Sequence, residues 1–419
     1  MEGKQPPCSL SARTHDQQHG FEPLSQRERG WGEGRTEPGH LNHREPALQN
    51  PYPGKQLAPT KELPAPPCSF PPDAGLGYTQ PNQRIRSRAS FPPIPMSSHS
   101  DIATLGGHSM GTSWSVKLVA PRNRDLHPLH AGIQQQLDRV VAQMSTWEAG
   151  SNISRYNRAD AGSWQTLPDD FWRVLQAAHD VAQRSDGAFD PTLGPLLALW
   201  GFGADAGRQR VPEAALVREA AACCGWQRLQ LDAHRQAVLQ PGGLHLDLSA
   251  IAKGYGVDLV SRWLRTQDVA AALVEVGGEL HGYGRKPDGQ PWRVLVESAP
   301  EEDAGAGYPP RVLALDDLAV ATSGDRWHRY EQDGTRYSHT LDPRRHAPVA
   351  TAAAAVTVVH REAMLADAWA TALTVMGAAA GPAFAEAQGL AARFVQRDGE
   401  GLVETLSPAF RQHLDASAA

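Results

Sequence analysis

The sequence predicts an α+β fold. Two observations carry that prediction: strand-like and helical segments are mixed along the chain, and the strands fall mostly in adjacent runs. No repeat of solenoid length competes with it. In order, SWSVKLVA alternates at period two and reads as a first strand. HAGIQQQLDRVVAQMSTW then places Ile133, Leu137, Val140, Val141 and Met144 on one helix face. DDFWRVLQAAHDVAQRS is a second helix, stopped at Asp186-Gly187. GAFDPTLGPLLALWGFG reads as a loop, a helix near 212–222 follows, and LHLDLS reads as a short strand. IAKGYGVDLVSRWLR is the next helix. AALVEVGGELHGYGR, PWRVLVESA, RVLALDDLAVATSG, RYSHTLDP and AAAVTVVH are strand-like, and MLADAWATALTVMG is an apolar helix bounded by Gly377.

Composition divides the 419 residues in two. About half of the 33 prolines precede Met96, in a region rich in Pro, Gly, Gln, Arg and His with no sustained apolar period. Such a segment buries too little apolar surface to offset its ordering entropy, so residues 1–95 are expected to be a disordered, Pro-rich extension. Residues 96–419 are expected to form a single globular domain, large enough for a substantial core.

The net charge of −6 is mild, and no basic run interleaves with aromatics, which argues against nucleic-acid binding. Of the four cysteines, Cys8 and Cys68 lie in the extension and Cys223 and Cys224 are adjacent, so neither a metal pattern nor a disulfide framework is indicated. No stretch of 18 residues is apolar throughout, so no spanning helix is expected. The start shows neither an apolar signal region nor a lipid-attachment site, which reads at face value as cytoplasmic.

Five stretches are more polar or Gly-rich than their surroundings. Asp367 and Thr371, four apart, share one face of an otherwise apolar helix. A buried carboxylate needs a partner: either an arginine elsewhere, with Thr371 bonding back along the helix, or a hard cation held by both oxygens. In LHLDLSAIAKGYGVD, Asp247 ends the strand and Lys253 falls in the first turn of a helix. Unpaired N–H groups there would suit an anion, with Asp247 as a simple cap and Lys253 solvated as the plainer alternative. Asp190 sits in the turn GAFDP, Gly277-Gly278 interrupts a strand as either a bulge or a close approach of backbone to ligand, and His339 stands beside a polar turn in RYSHTLDP.

In their order, MGTSW, MSTWEAGSNISRYN, GAFDPTLGPLLALWGFG, LDLSAIAKGYGVD, VEVGGELHGYGR, ATSGD, RYSHTLDP and ADAWATAL resemble the FAD:protein FMN transferase (ApbE) family over about residues 105–405. The resemblance implies an ApbE-like flavin-transferase domain that takes FAD as substrate, uses Mg2+, and moves FMN to a Thr or Ser hydroxyl of a flavin-acceptor protein, such as a redox-complex subunit, with release of AMP. It implies metal ligands at Asp367, Thr371 and the Ala250 backbone oxygen. FAD contacts are implied at Met110 before the first strand, Trp147, Ala188, Phe189, Asp190, Asp247, Lys253 and Leu341. His339 is the implied general base. An Mg2+-dependent FAD pyrophosphatase using the same ligands, or a flavin-binding protein without chemistry, are the alternatives. Two departures stand out. Arg345-His346 replaces the family's Thr-Gly turn, where a glycine of positive φ would be expected. The export and lipid-anchoring signals common in the family are also not seen, so a periplasmic, membrane-anchored site would require a start other than the one given.

Overall fold

The computed structural model describes residues 100–204, 209–296, 311–324, 329–349, 355–398 and 401–414. The Pro-rich extension lies outside the described residues. Within them an antiparallel sheet of eight strands is the organising element. Its order follows the chain: Ser100–Ser109, Thr112–Pro121, Ala272–Val276, Glu279–Tyr283, Leu318–Ser323, Ala355–His360, Ala391–Asp398 and Gly401–Leu406.

The alternation in SWSVKLVA is what commits one sheet face to helices. Trp114, Val116, Leu118 and Ala120 are all buried, and they pack with Leu129, Ile133 and Leu137 of the helix His127–Met144. Val257, Val260 and Leu264 of the helix Ser249–Thr266 complete that cluster. The opposite face is covered by the antiparallel pair Trp292–Val296 and Arg311–Leu315 together with Phe410. Buried Asp170, at the start of the helix Asp169–Arg184, ties three helices: it accepts from the guanidinium of Arg139, from Gln143 Nε2 at 3.1 Å and from the Tyr255 hydroxyl at 2.5 Å. Arg139 and Tyr255 hold its carboxyl below the usual range although burial pushes the other way.

The helix expected at MLADAWATALTVMG opens the helical stretch Ala363–Ala387, in which two segments meet at Gly377. At Gly377 the backbone leaves helical geometry (φ 66°, ψ −169°), so the predicted helix ends there as expected and a second helical segment follows across the kink. By length and mean hydropathy alone this helical stretch would pass for a membrane span. Its apolar surface is instead buried in the core with Trp369, Leu373 and Ala385, so the composition reflects burial within the fold.

Other departures have local causes. The first strand is Ser100–Ser109, not SWSVKLVA; it is an edge strand whose short, polar residues carry little apolar signal. LHLDLS forms only an isolated bridge, Leu193 to His245, with Asp247 N donating to the Pro191 carbonyl at 2.9 Å. A short helix, Gly194–Leu199, closes the segment expected to be loop. Val174, Leu175 and Ala178 confirm the second predicted helix by facing the core.

Candidate active site

All twelve residues singled out from the sequence line a single cleft of about 1280 Å³. They arrive from six separate parts of the chain, and the sheet and helices explain how.

Met110 is not before the first strand but in the two-residue turn joining Ser109 to Thr112. Both turn residues have positive φ (Met110 53°, Gly111 73°), the geometry a tight hairpin demands. Trp147 follows the helix His127–Met144 and is 73% exposed, so it stands at the mouth of the cleft and does not serve the core. Ala188 and Phe189 are buried in a loop anchored by Asp190, whose Oδ1 accepts from Thr192 N (2.8 Å) and Oγ1 (2.6 Å) and whose Oδ2 accepts from Trp226 N (3.0 Å). Burial pushes the Asp190 carboxyl up against these hydrogen bonds. Both its oxygens are engaged, so Asp190 shapes the wall of the cleft.

Asp247 caps the turn into the helix Ser249–Thr266 by accepting from Ser249 N at 2.9 Å. The Ile251 N–H goes to the Leu248 carbonyl at 3.1 Å. The run of unpaired N–H groups expected for an anion is therefore largely spent. Lys253 lies in the second turn of the helix, not the first, and supplies the positive charge here.

Its ammonium sits between two buried carboxylates, 3.0 Å from Glu279 Oε1 and 3.7 Å from Asp367 Oδ2. Burial pulls Lys253 down, but Asp367 and Glu279 outweigh it and hold it above its ordinary range. Burial pushes Glu279 up to about 7 and raises Asp367 as well, in each case against the pull of Lys253. With all three ionised, the cluster carries one negative charge over.

The helices bearing these groups touch backbone to backbone. A methyl group at Gly254 would fall 2.3 Å from the Ala363 carbonyl oxygen. This closeness lets Gly254 N donate to Asp367 Oδ2 at 3.2 Å. One turn further along, Asp258 accepts from Ala363 N (2.8 Å) and Met364 N (3.0 Å), capping the Asp367 helix from its neighbour. Asp367 Oδ1, the Thr371 hydroxyl and the Ala250 carbonyl are hard oxygen donors on the same cleft, the donor chemistry that suits Mg2+. Among the described residues no group of three His, Cys, Asp or Glu side chains could hold a metal, so a cation here would rely on one carboxylate and neutral oxygens. The surplus negative charge fits such a cation.

On the opposite wall, His339 follows the strand Thr335–Ser338 and does not belong to it; its ring lies 6.5 Å from Phe202, edge to face. Leu341 is buried beside it and pairs with Pro348. At the replaced Thr-Gly turn, His346 adopts φ 56°, so the positive φ is retained without the glycine. Its carbonyl accepts from Trp200 Nε1 at 3.1 Å.

Glu279 was not singled out from the sequence, although the signal was there. Gly277-Gly278 makes a two-residue turn that pairs Val276 with Glu279. Directly paired residues share a sheet face. Val276 faces the apolar helix side, so Glu279 must be buried there too.

Residues 110–394 match the model of the ApbE family. The chain is 34% identical over 311 residues to the FAD:protein FMN transferase of Vibrio cholerae serotype O1, a match covering 74% of this chain and 92% of that one. It is 32% identical over 313 residues to the FAD:protein FMN transferase of Salmonella typhimurium, covering 74% and 89%. Among solved structures, the apo flavinyl transferase ApbE of Pseudomonas stutzeri matches with a TM-score of 0.70 at 40% identity, over 76% of this chain and 98% of that one. The flavin transferase ApbE from Vibrio cholerae matches with a TM-score of 0.69 at 34% identity, over 75% and 100%.

Proposed function

This chain belongs to the ApbE family, and on that premise we propose that it is an Mg2+-dependent FAD:protein FMN transferase whose cleft carries both the metal and the flavin sites. The observation that supports this reading is the convergence of Met110, Trp147, the Ala188–Asp190 loop, Asp247, Lys253, His339, Leu341, Asp367 and Thr371 on one cleft of a size suited to a dinucleotide.

The reaction moves FMN from FAD to a Thr or Ser hydroxyl of an acceptor protein. The hydroxyl oxygen bonds to the flavin-side phosphorus, the bond to the bridging oxygen breaks, and AMP leaves with that electron pair. Asp367, Thr371 and the Ala250 carbonyl would hold Mg2+, which as a Lewis acid neutralises pyrophosphate charge. Lys253 adds a fixed positive charge beside the same phosphates. Met110 and Trp147 offer apolar faces to the rings, and the loop anchored by Asp190 supplies the wall behind them. His339 takes the proton of the incoming hydroxyl, which an imidazole does near neutral pH.

The test is steady-state AMP release from FAD in the presence of an acceptor domain carrying a Thr target. His339→Ala is expected to lower turnover by about 100-fold, within the usual range for a lost general base, with FAD affinity nearly unchanged. An unchanged turnover number would remove His339 from the chemistry. AMP release with an unmodified acceptor would favour the pyrophosphatase activity of the same site.

A further inference from the structure

The cation proposed above must compete with Lys253 for Asp367. The ammonium is 3.7 Å from Asp367 Oδ2 but only 3.0 Å from Glu279 Oε1, so Glu279 is its nearer partner. Glu279 has no role in the proposed reaction, yet it is 95% or more buried and lines the same cleft. Its second oxygen, Oε2, is buried and makes no hydrogen bond among the described residues. A half-satisfied carboxyl group in such a place is costly, and core packing alone gives no reason for it. A valine or leucine would pack as well against Val276, as on the rest of that face.

We infer that Glu279 is a positioning residue for the cation site: it holds the Lys253 ammonium away from Asp367, keeping Asp367 available to a divalent cation. Charge counting shows why the residue matters. With all three ionised, Glu279, Asp367 and Lys253 together carry −1. Without the Glu279 charge, Lys253 and Asp367 cancel, and the ammonium is free to close on Asp367 Oδ2, neutralising the carboxylate that the cation needs. Gly277 adds to the constraint, since a methyl group there would fall 3.3 Å from Lys253 Cδ and 2.8 Å from Thr112 Cγ2. The side chain of Lys253 thus runs along the turn that introduces Glu279, which holds its ammonium on the Glu279 side of the cleft.

The inference rests on the cation reading, and Mn2+ binding to the full chain separates the two without any turnover. Mn2+ is titrated against wild-type, Glu279→Gln, Glu279→Asp and Glu279→Gln/Lys253→Met proteins, with free Mn2+ read by electron paramagnetic resonance and folding checked by thermal melts. Glu279→Gln is expected to weaken Mn2+ by about tenfold or more, the least that one unit charge a few ångströms away is worth at a protein-like dielectric. Glu279→Asp keeps the charge and is expected to bind more tightly than Glu279→Gln. The double variant restores the net charge of −1 and removes the competitor, so it is expected to return most of the lost affinity; a purely structural role for Glu279 would not be rescued by removing a second side chain. Equal binding by wild type and Glu279→Gln, or a double variant as weak as Glu279→Gln, would overturn the role of Glu279 and leave the cation site standing. A wild-type protein that bound no Mn2+ would overturn the cation site, and the role of Glu279 with it.

Discussion

Replacing Gly254 by alanine pits helix propensity against the contact between two helices. In a solvent-facing helix the change would stabilise by about 1 kcal/mol. Here the new methyl would sit 2.3 Å from the Ala363 oxygen, 2.6 Å from its carbonyl carbon and 2.7 Å from Met364 N. All three are backbone atoms and cannot rotate away, so the helices must part by about 1 Å to reach ordinary contact. Overpacking of this kind costs about 1–3 kcal/mol. Parting the helices also stretches the 3.2 Å bond from Gly254 N to Asp367, a bond to a charged acceptor worth about 1.5–3 kcal/mol. After subtracting the propensity gain, Gly254→Ala should destabilise by about 1.5–5 kcal/mol, which chemical denaturation resolves easily. Because the same movement carries Asp367 and Thr371 away from Ala250, turnover should fall by about 100-fold, as misplacement by 1 Å commonly costs. Gly150→Ala is the control: nothing lies within 4 Å of its added methyl, and stability should stay within about 0.5 kcal/mol. A Gly254→Ala protein as stable and as active as wild type would refute the account of how these helices set the site.

Three further outcomes follow from single residues. Buried His281 lies 3.5 Å from Asp317, and burial together with Arg265 pulls its imidazole down to about 4. The unfolded chain takes up that proton below about pH 6.5 and the fold does not, so stability should fall between about pH 6.5 and 4; by pH 5 about 2 kcal/mol should be lost relative to pH 8, and His281→Gln should flatten that dependence. His346→Gly relieves a left-handed side chain at about 1–2 kcal/mol and adds unfolded-state entropy of about 0.5–1 kcal/mol, so melts should show a gain of up to about 1 kcal/mol, and a clear loss would mean that the imidazole itself is needed. Trp147→Ala should leave stability within about 0.5 kcal/mol, since the ring is largely exposed, while weakening FAD binding by about threefold to tenfold in a fluorescence titration.

Where local pattern and burial agree, the sequence was legible. Trp114, Val116, Leu118 and Ala120 alternate because one strand face meets helices, and Ile133, Leu137 and Val140 recur at helical spacing for the same reason. The Ser100–Ser109 edge strand escaped notice because its pairing partner, not its own apolar content, makes it a strand. Gly377 was legible as a helix end because a glycine of positive φ interrupts helical geometry, but the segment that resumes beyond it gave no local signal of its own. The site was legible through a resemblance: the spacing of Asp367 and Thr371 pointed equally to an ion pair and to a cation. The fold brings Lys253 to Asp367 and so supports part of the plainer reading as well. Glu279 needed one more inference, the strand register across Gly277-Gly278, which local composition does not contain.

The central claim is transfer of FMN to a protein hydroxyl by a cation-dependent cleft. The most direct test is the intact mass of a Thr-bearing flavin-acceptor domain after incubation with the full chain, FAD and Mg2+. The account predicts a gain of one FMN unit on the acceptor, lost when EDTA is added and lost with Asp367→Ala. An acceptor that gains FMN equally well with EDTA present, or with Asp367→Ala, would contradict it.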